Sequence, residues 1–134
     1  MRIKSFVAAG LALAAAVSPV SAARLSPEDK LAKALEGRVA GEPVNCIPFT
    51  SARSSQIIDG QAIIYKSGAG GTIYVNRPRI GADQLDDDDI LVTSTSLSQL
   101  CSLDTIQLVD RASRFPRGFV GLDKFVPYKR VAKR

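Results

Sequence analysis

A chain with two cysteines admits one intramolecular crosslink, and that crosslink decides which segments must meet. Cys46 lies in "VNCIPF" and Cys101 in "QLCSLD". A bridge between them closes a loop of about 55 residues, for which the chain-entropy model gives ~4 kcal/mol as an upper figure. That is a large share of the total stability of a small domain. The expectation is a Cys46–Cys101 disulfide; the alternative is two buried free thiols. No C-x-x-C spacing occurs, so a redox pair or a thiolate metal site is not expected.

A bridge needs an oxidising compartment, and the first residues point to one. Arg2 and Lys4 precede an apolar run from Phe6 to Val17, which Pro19 breaks. Val20-Ser21-Ala22 then offers the small residues that a signal peptidase reads. The apolar run is about a dozen residues, short of the roughly 20 needed to span a bilayer. The expectation is a cleaved signal peptide over 1–22, no transmembrane segment after cleavage, and a periplasmic or secreted product. No cysteine stands at the cleavage point, so no lipid anchor is expected. Residues 23–134 then form one small domain, and a composition 46% hydrophobic and 23% charged is that of a folded chain.

Histidine is absent throughout. This removes the commonest general base, the commonest metal ligand and every Ser-His or Cys-His nucleophile. "SGAGG" at 67–71 lacks the Lys-Ser/Thr of a phosphate-binding loop and reads as a hairpin turn. Neither a cofactor nor a metal is expected. Carboxylate chemistry would need two separated groups facing one pocket, such as Asp59 or Asp104 with Asp123. Asp104 and Asp123 more often make turns and accept local hydrogen bonds.

Residues 23–42 are expected to hold one helix and a linker. In "LSPEDKLAKALEG" (25–37), Ser26 suits the N-cap and Pro27 the first helical position. Glu28 and Asp29 favour the first turn, and Gly37 the stop. Leu31, Ala34 and Leu35 make a thin apolar stripe, giving a light packing contact or a loose arm. Residues 43–130 read as β. "QAIIYK" and "TIYVNR" flank the glycines as a hairpin. "VNCIPF", "SQIID", "ILVTSTSL", "TIQLVD" and segments near Phe119–Leu122 and Phe125–Tyr128 complete five to seven short strands. The fold class is therefore mainly β: a small antiparallel sheet, barrel or sandwich-like domain with one short N-terminal helix. Residues 131–134 are expected to fray.

Charge is segregated along the chain. Residues 23–80 hold eight Lys/Arg against five Asp/Glu, residues 81–110 hold seven Asp and no Lys/Arg, and residues 111–134 hold eight Lys/Arg against one Asp. The run Asp86, Asp87, Asp88, Asp89 admits three readings. A calcium loop would space its ligands at alternate positions with an internal Gly, which this run lacks. An acidic face could meet the basic C-terminal segment, within the molecule or across a dimer. The plainest reading is a solvated gatekeeper loop before a hydrophobic strand. In the basic segment, Arg111, Arg114, Arg117, Lys124, Lys129 and Arg130 interleave with aromatics, as in nucleic-acid binders. An exported protein does not meet nucleic acid, so an envelope protein or an anionic envelope surface is the expected partner. Phe115, Phe119, Phe125 and Tyr128 are expected to fill the core while those cations stay in water.

The succession "GEPVNCIP", "IIDG", "IIY…IYVNRP", "QLCSLDTIQLVDR" and "GFVGLDKFVPY" resembles a family of small exported proteobacterial proteins classed as a domain of unknown function. The resemblance spans about residues 41–128. It rests on Cys46-Ile47, on Leu100-Cys101 with Asp104 after it, and on Gly121, Leu122, Phe125 and Pro127. Further cysteines that members often carry are replaced here near Arg79-Ile80 and Phe119-Val120. The resemblance implies export and a compact β-rich domain, without an activity. The expectation is an exported, non-catalytic envelope domain acting by binding. The alternatives are a structural or inhibitory module that docks on a charged partner or on itself, and a small carboxylate-based hydrolase.

Overall fold

The computed structural model describes residues 10, 14–17, 23–67 and 71–132. The leader expected over 1–22 falls mostly outside them, and the tip of the glycine turn at 68–70 wholly so. One helix, α1 (Pro27–Ala34), precedes ten strands: β1 (Arg38–Ala40), β2 (Cys46–Pro48), β3 (Ser54–Ile58), β4 (Ala62–Lys66), β5 (Ile73–Asn76), β6 (Asp89–Thr93), β7 (Gln99–Cys101), β8 (Thr105–Asp110), β9 (Pro116–Gly121) and β10 (Phe125–Arg130). They form a five-stranded sheet in the order β1-β10-β5-β4-β3, a three-stranded sheet β6-β8-β9 and a ribbon β2-β7. Every pairing is antiparallel.

Alternation along β4 explains the layering. Ala62 and Ile64 face one side of the five-stranded sheet and Ile63 and Tyr65 the other, as the period of two requires. The first side joins Ile58, Ile73 and Val75 under Leu31 of α1. The second packs Ile57, Ile63, Tyr65 and Phe125 against Ile106, Leu108 and Val120 of the three-stranded sheet, with Ile47 and Leu100 of the ribbon. Strands β4 and β5 are thus buried on both faces, and the sheets make a sandwich that is not closed into a barrel. Cys46 and Cys101 sit directly opposite in the ribbon and are bridged. Asp104 Oδ2 accepts from Cys101 N–H at 2.7 Å and fixes the turn that follows. Asn76, fully buried, holds the turn before β10: its amide donates to Asp123 O at 2.6 Å and its carbonyl accepts from Asp123 N at 3.1 Å.

Several expectations change here. The helix is shorter than 25–37, but Ser26 caps it as expected, accepting from Asp29 N–H. It is no loose arm, because Leu31 is 5% exposed. The linker within 23–42 contributes strand β1, which pairs with β10, so the β domain begins before residue 43. Of the tail expected to fray, Val131 N–H donates to Gly37 O, and residues 133–134 lie outside the description. The strand expected near Phe119–Leu122 begins earlier, at Pro116. Of the aromatics expected inside, only Phe125 is fully buried; Tyr128 is half-buried, while Phe115 is 73% and Phe119 56% exposed. The reason is register. Phe119 pairs with Gln107 on the outer face of the three-stranded sheet, whereas Val120 points inward with Ile106. Phe115 lies in the turn before β9.

Candidate functional site

The four aspartates are divided among three tasks. Asp89 opens β6 and its side chain is 3% exposed. Arg117 reaches it with two hydrogen bonds, Nε to Oδ1 at 3.1 Å and Nη2 to Oδ2. A second Nη2 contact goes to Gln84 O at 2.7 Å. The backbone explains the reach. Leu108 pairs with Gly118 and Val109 with Pro116, so Arg117 is the extra residue of a β-bulge. A bulge re-aims one side chain, here toward the buried carboxylate. The hydrogen bonds to Asp89 raise the guanidinium's already high pKa. The acidic run therefore does meet the basic segment, at one buried point, and the plain reading of a wholly solvated loop does not hold for Asp89.

The rest of the run stays at the surface. Asp88 offers its carbonyl to Arg111 Nε at 3.2 Å. Asp86 accepts from Asp88 N–H, and Asp59 accepts from Asp87 N–H at 2.7 Å. Carboxylate oxygens of Asp59, Asp86 and Asp87 lie within 4.8 Å of one another. Lys30 of α1 already supplies a cation there, 3.3 Å from Asp87 and 3.8 Å from Asp59. Two adjacent aspartates thus converge with a third from a distant turn, and their counter-charge is the helix lysine.

The open side of the sandwich lies between β3, an edge of the large sheet, and β6, an edge of the small one. A groove of about 1250 Å³ runs along it, roofed by α1 and ending at the root of the β4–β5 hairpin. Lys30, Lys33, Arg38, Lys66, Arg111 and Arg130 line it, against the two carboxylates Asp87 and Asp89. Asp89 is neutralised by Arg117 and Asp87 by Lys30. Ile57, Ile73, Ile90 and Leu91 supply apolar floor. The groove is thus a strongly cationic concave surface, large for a small-molecule pocket.

Of the cations expected from sequence to bind, Arg111 and Arg130 line the groove. Arg117 is committed to Asp89. Arg114 sits at φ 64° in the β8–β9 turn, and Lys124 and Lys129 lie outside the groove. In that same turn Asp110 accepts from Ser113 N–H at 2.6 Å, and this bond, with the Ser113 hydroxyl, holds its carboxyl below the usual range. Lys30, Lys33, Arg38 and Lys66 were not foreseen, because they are scattered singly through a helix and two strands. The carboxylates considered for hydrolysis do not line the groove. Asp104 and Asp123 each accept a local backbone N–H, from Cys101 and Lys124, and Asp59 belongs to the Lys30 cluster. No helix among the described residues is long and apolar enough to cross a membrane. No protein-family model, curated protein or solved structure matches the chain.

Proposed function

We propose that the protein is an exported, non-catalytic domain of the cell envelope that acts by binding, and that it binds through the groove between β3 and β6. The observation that carries this reading is the groove's charge: six cations converge there, and both of its carboxylates are already paired. Four separate parts of the fold, α1, the β1–β10 edge, the end of β4 and the β8–β9 turn, deliver those cations to one concavity. Concave surfaces of one sign concentrate ligands of the other. The Cys46–Cys101 bridge supports export, since such bridges persist in oxidising compartments. The apolar leader "FVAAGLALAAAV" and the resemblance over residues 41–128 support the same placement. The partner is an anionic component of the envelope, on a protein or on its surface.

Co-sedimentation of the bridged mature protein with isolated envelope membranes tests the reading. Retention is expected at low salt and release at high salt, because such contacts are screened. The triple variant Lys33→Gln, Lys66→Gln, Arg130→Gln should remain in the supernatant at low salt. Retention of that variant at the wild-type level would remove the groove from the account.

A further inference from the structure

The groove's cations are not evenly paired. Lys30 faces Asp59 and Asp87, and Arg111 rests on the Asp88 carbonyl. Lys33, Arg38, Lys66 and Arg130 have no carboxylate partner among the described residues. Arg38, Lys66 and Arg130 lie at the hairpin end of the groove, and Lys33 lines it from α1. Arg38 and Arg130 are direct cross-strand neighbours in the β1–β10 register, an arrangement of like charges that costs stability. In the next pair of that face, Tyr128 lies opposite Ile73, and Ile73 opposite Lys66. Both guanidinium groups converge on Gly71. Arg38 Nη1 donates to the Gly71 carbonyl and, at 3.3 Å, to that of Tyr128. A Cβ at Gly71 would lie 3.9 Å from Arg130 Nε.

We propose that this end of the groove is a site for a phosphoryl group, held by Arg38 and Arg130 with Lys66 and Lys33. The inference rests on the groove being the binding site and adds the chemistry of what it takes. A carboxylate carries one charge and engages one guanidinium fork. A phosphate ester carries more charge and offers three acceptor oxygens, enough for two forks and two ammonium groups at once. Guanidinium is the group suited to bidentate contact with it. Bound there, the ligand also relieves the repulsion between Arg38 and Arg130. The length of the groove beyond this cluster fits a phosphoryl group that belongs to a larger molecule: an envelope lipid headgroup or a soluble phosphate chain.

Binding of a short soluble polyphosphate and of charge-matched polyglutamate to the bridged mature protein, at fixed ionic strength, tests this. Polyphosphate should bind at least tenfold more tightly. Lys66→Gln with Arg130→Gln should weaken it at least tenfold, and Arg38→Lys several-fold at unchanged net charge. The control pair Arg114→Gln with Lys124→Gln, which removes the same charge elsewhere, should stay within twofold. Thermal midpoints without ligand report whether each variant is folded, and the Lys66/Arg130 pair removes no side-chain hydrogen bond among the described residues. Equal affinity for polyglutamate, with both probes lost in the groove variant, overturns the phosphoryl assignment and leaves the groove as the binding site. Wild-type affinity in the groove variant overturns both. Vesicles containing phosphatidic acid, against phosphatidylcholine alone, separate the sources. Binding to the acidic vesicles assigns the headgroup, binding to polyphosphate alone assigns a soluble chain, and binding to neither refutes the site.

Discussion

Tyr65→Phe should stabilise this protein, and the gain should grow in alkali. The Tyr65 side chain sits between the sheets, 2% exposed, with its ring edge-on to Phe125 at 5.8 Å between centroids. Its hydroxyl has no hydrogen-bond partner among the described residues. A buried polar group left unpaired costs ~1–3 kcal/mol. Phenylalanine removes that cost, keeps the ring contact and leaves only a small void. A net gain of about 1 kcal/mol follows, or about 4 °C in Tm for a domain of this size. Burial also pushes the Tyr65 pKa up. For a phenol so shifted, stability is fully present below the unfolded pKa near 10 and falls as pH rises above it, by ~1.4 kcal/mol per pH unit until the folded value is reached. At pH 11 the advantage of the Phe variant should therefore be about 2.5 kcal/mol. Urea denaturation at pH 7 and pH 11 measures both numbers. If Tyr65→Phe lowers stability by 1 kcal/mol or more, or the two proteins respond alike to alkali, the reasoning fails.

Other expectations follow from the same packing. Replacing both Cys46 and Cys101 by Ala should cost up to ~4 kcal/mol, seen as a lower urea midpoint, and intact mass of the wild type should be two hydrogens below the reduced value. Leu31→Ala should cost about 2–5 kcal/mol, because α1 is held through that one buried leucine; an unchanged midpoint would mean the helix does not dock. Gly81 has φ 75° and a Cβ there would lie 2.7 Å from Phe119 O, so Gly81→Ala should cost about 2 kcal/mol and loosen the turn that presents Gln84 O to Arg117. Asp110, with its carboxyl pKa held low, contributes stability above its unfolded pKa that is lost as pH falls through the folded one; Asp110→Asn should flatten that acid limb of the stability profile.

Much of the scaffold is written locally. The hairpin of β4 and β5 reads from β-branched alternation around glycines, and Ser26-Pro27 with Gly37 bounds the helix. The strands missed are those with little local signal. β1 is "RVA" on an outer edge, and β7 is three residues ending in Cys101, paired with β2 across the bridge. The aromatic residues of the basic segment misled for a related reason. The bulge at Arg117 shifts the pattern by one residue, so Phe119 points to solvent and the arginine turns to Asp89. The groove is the least legible part. Its cations are about 100 positions apart at the extremes, from Lys30 to Arg130, and they meet only because β10 returns between β1 and β5. Of the cations clustered in residues 111–130, Arg111 and Arg130 line the groove.

The central claim is that anions enter between β3 and β6. Amide chemical shifts of the isotope-labelled, bridged protein, followed during a polyphosphate titration and a separate polyglutamate titration, test it most directly. The account predicts saturable shifts confined to the groove, at Lys33, Arg38, Gln56, Lys66, Ile90 and Arg130, with little change at Arg114, Phe119 or Lys124. Shifts centred on the β8–β9 turn and the outer face of the small sheet, with the groove silent, would contradict it.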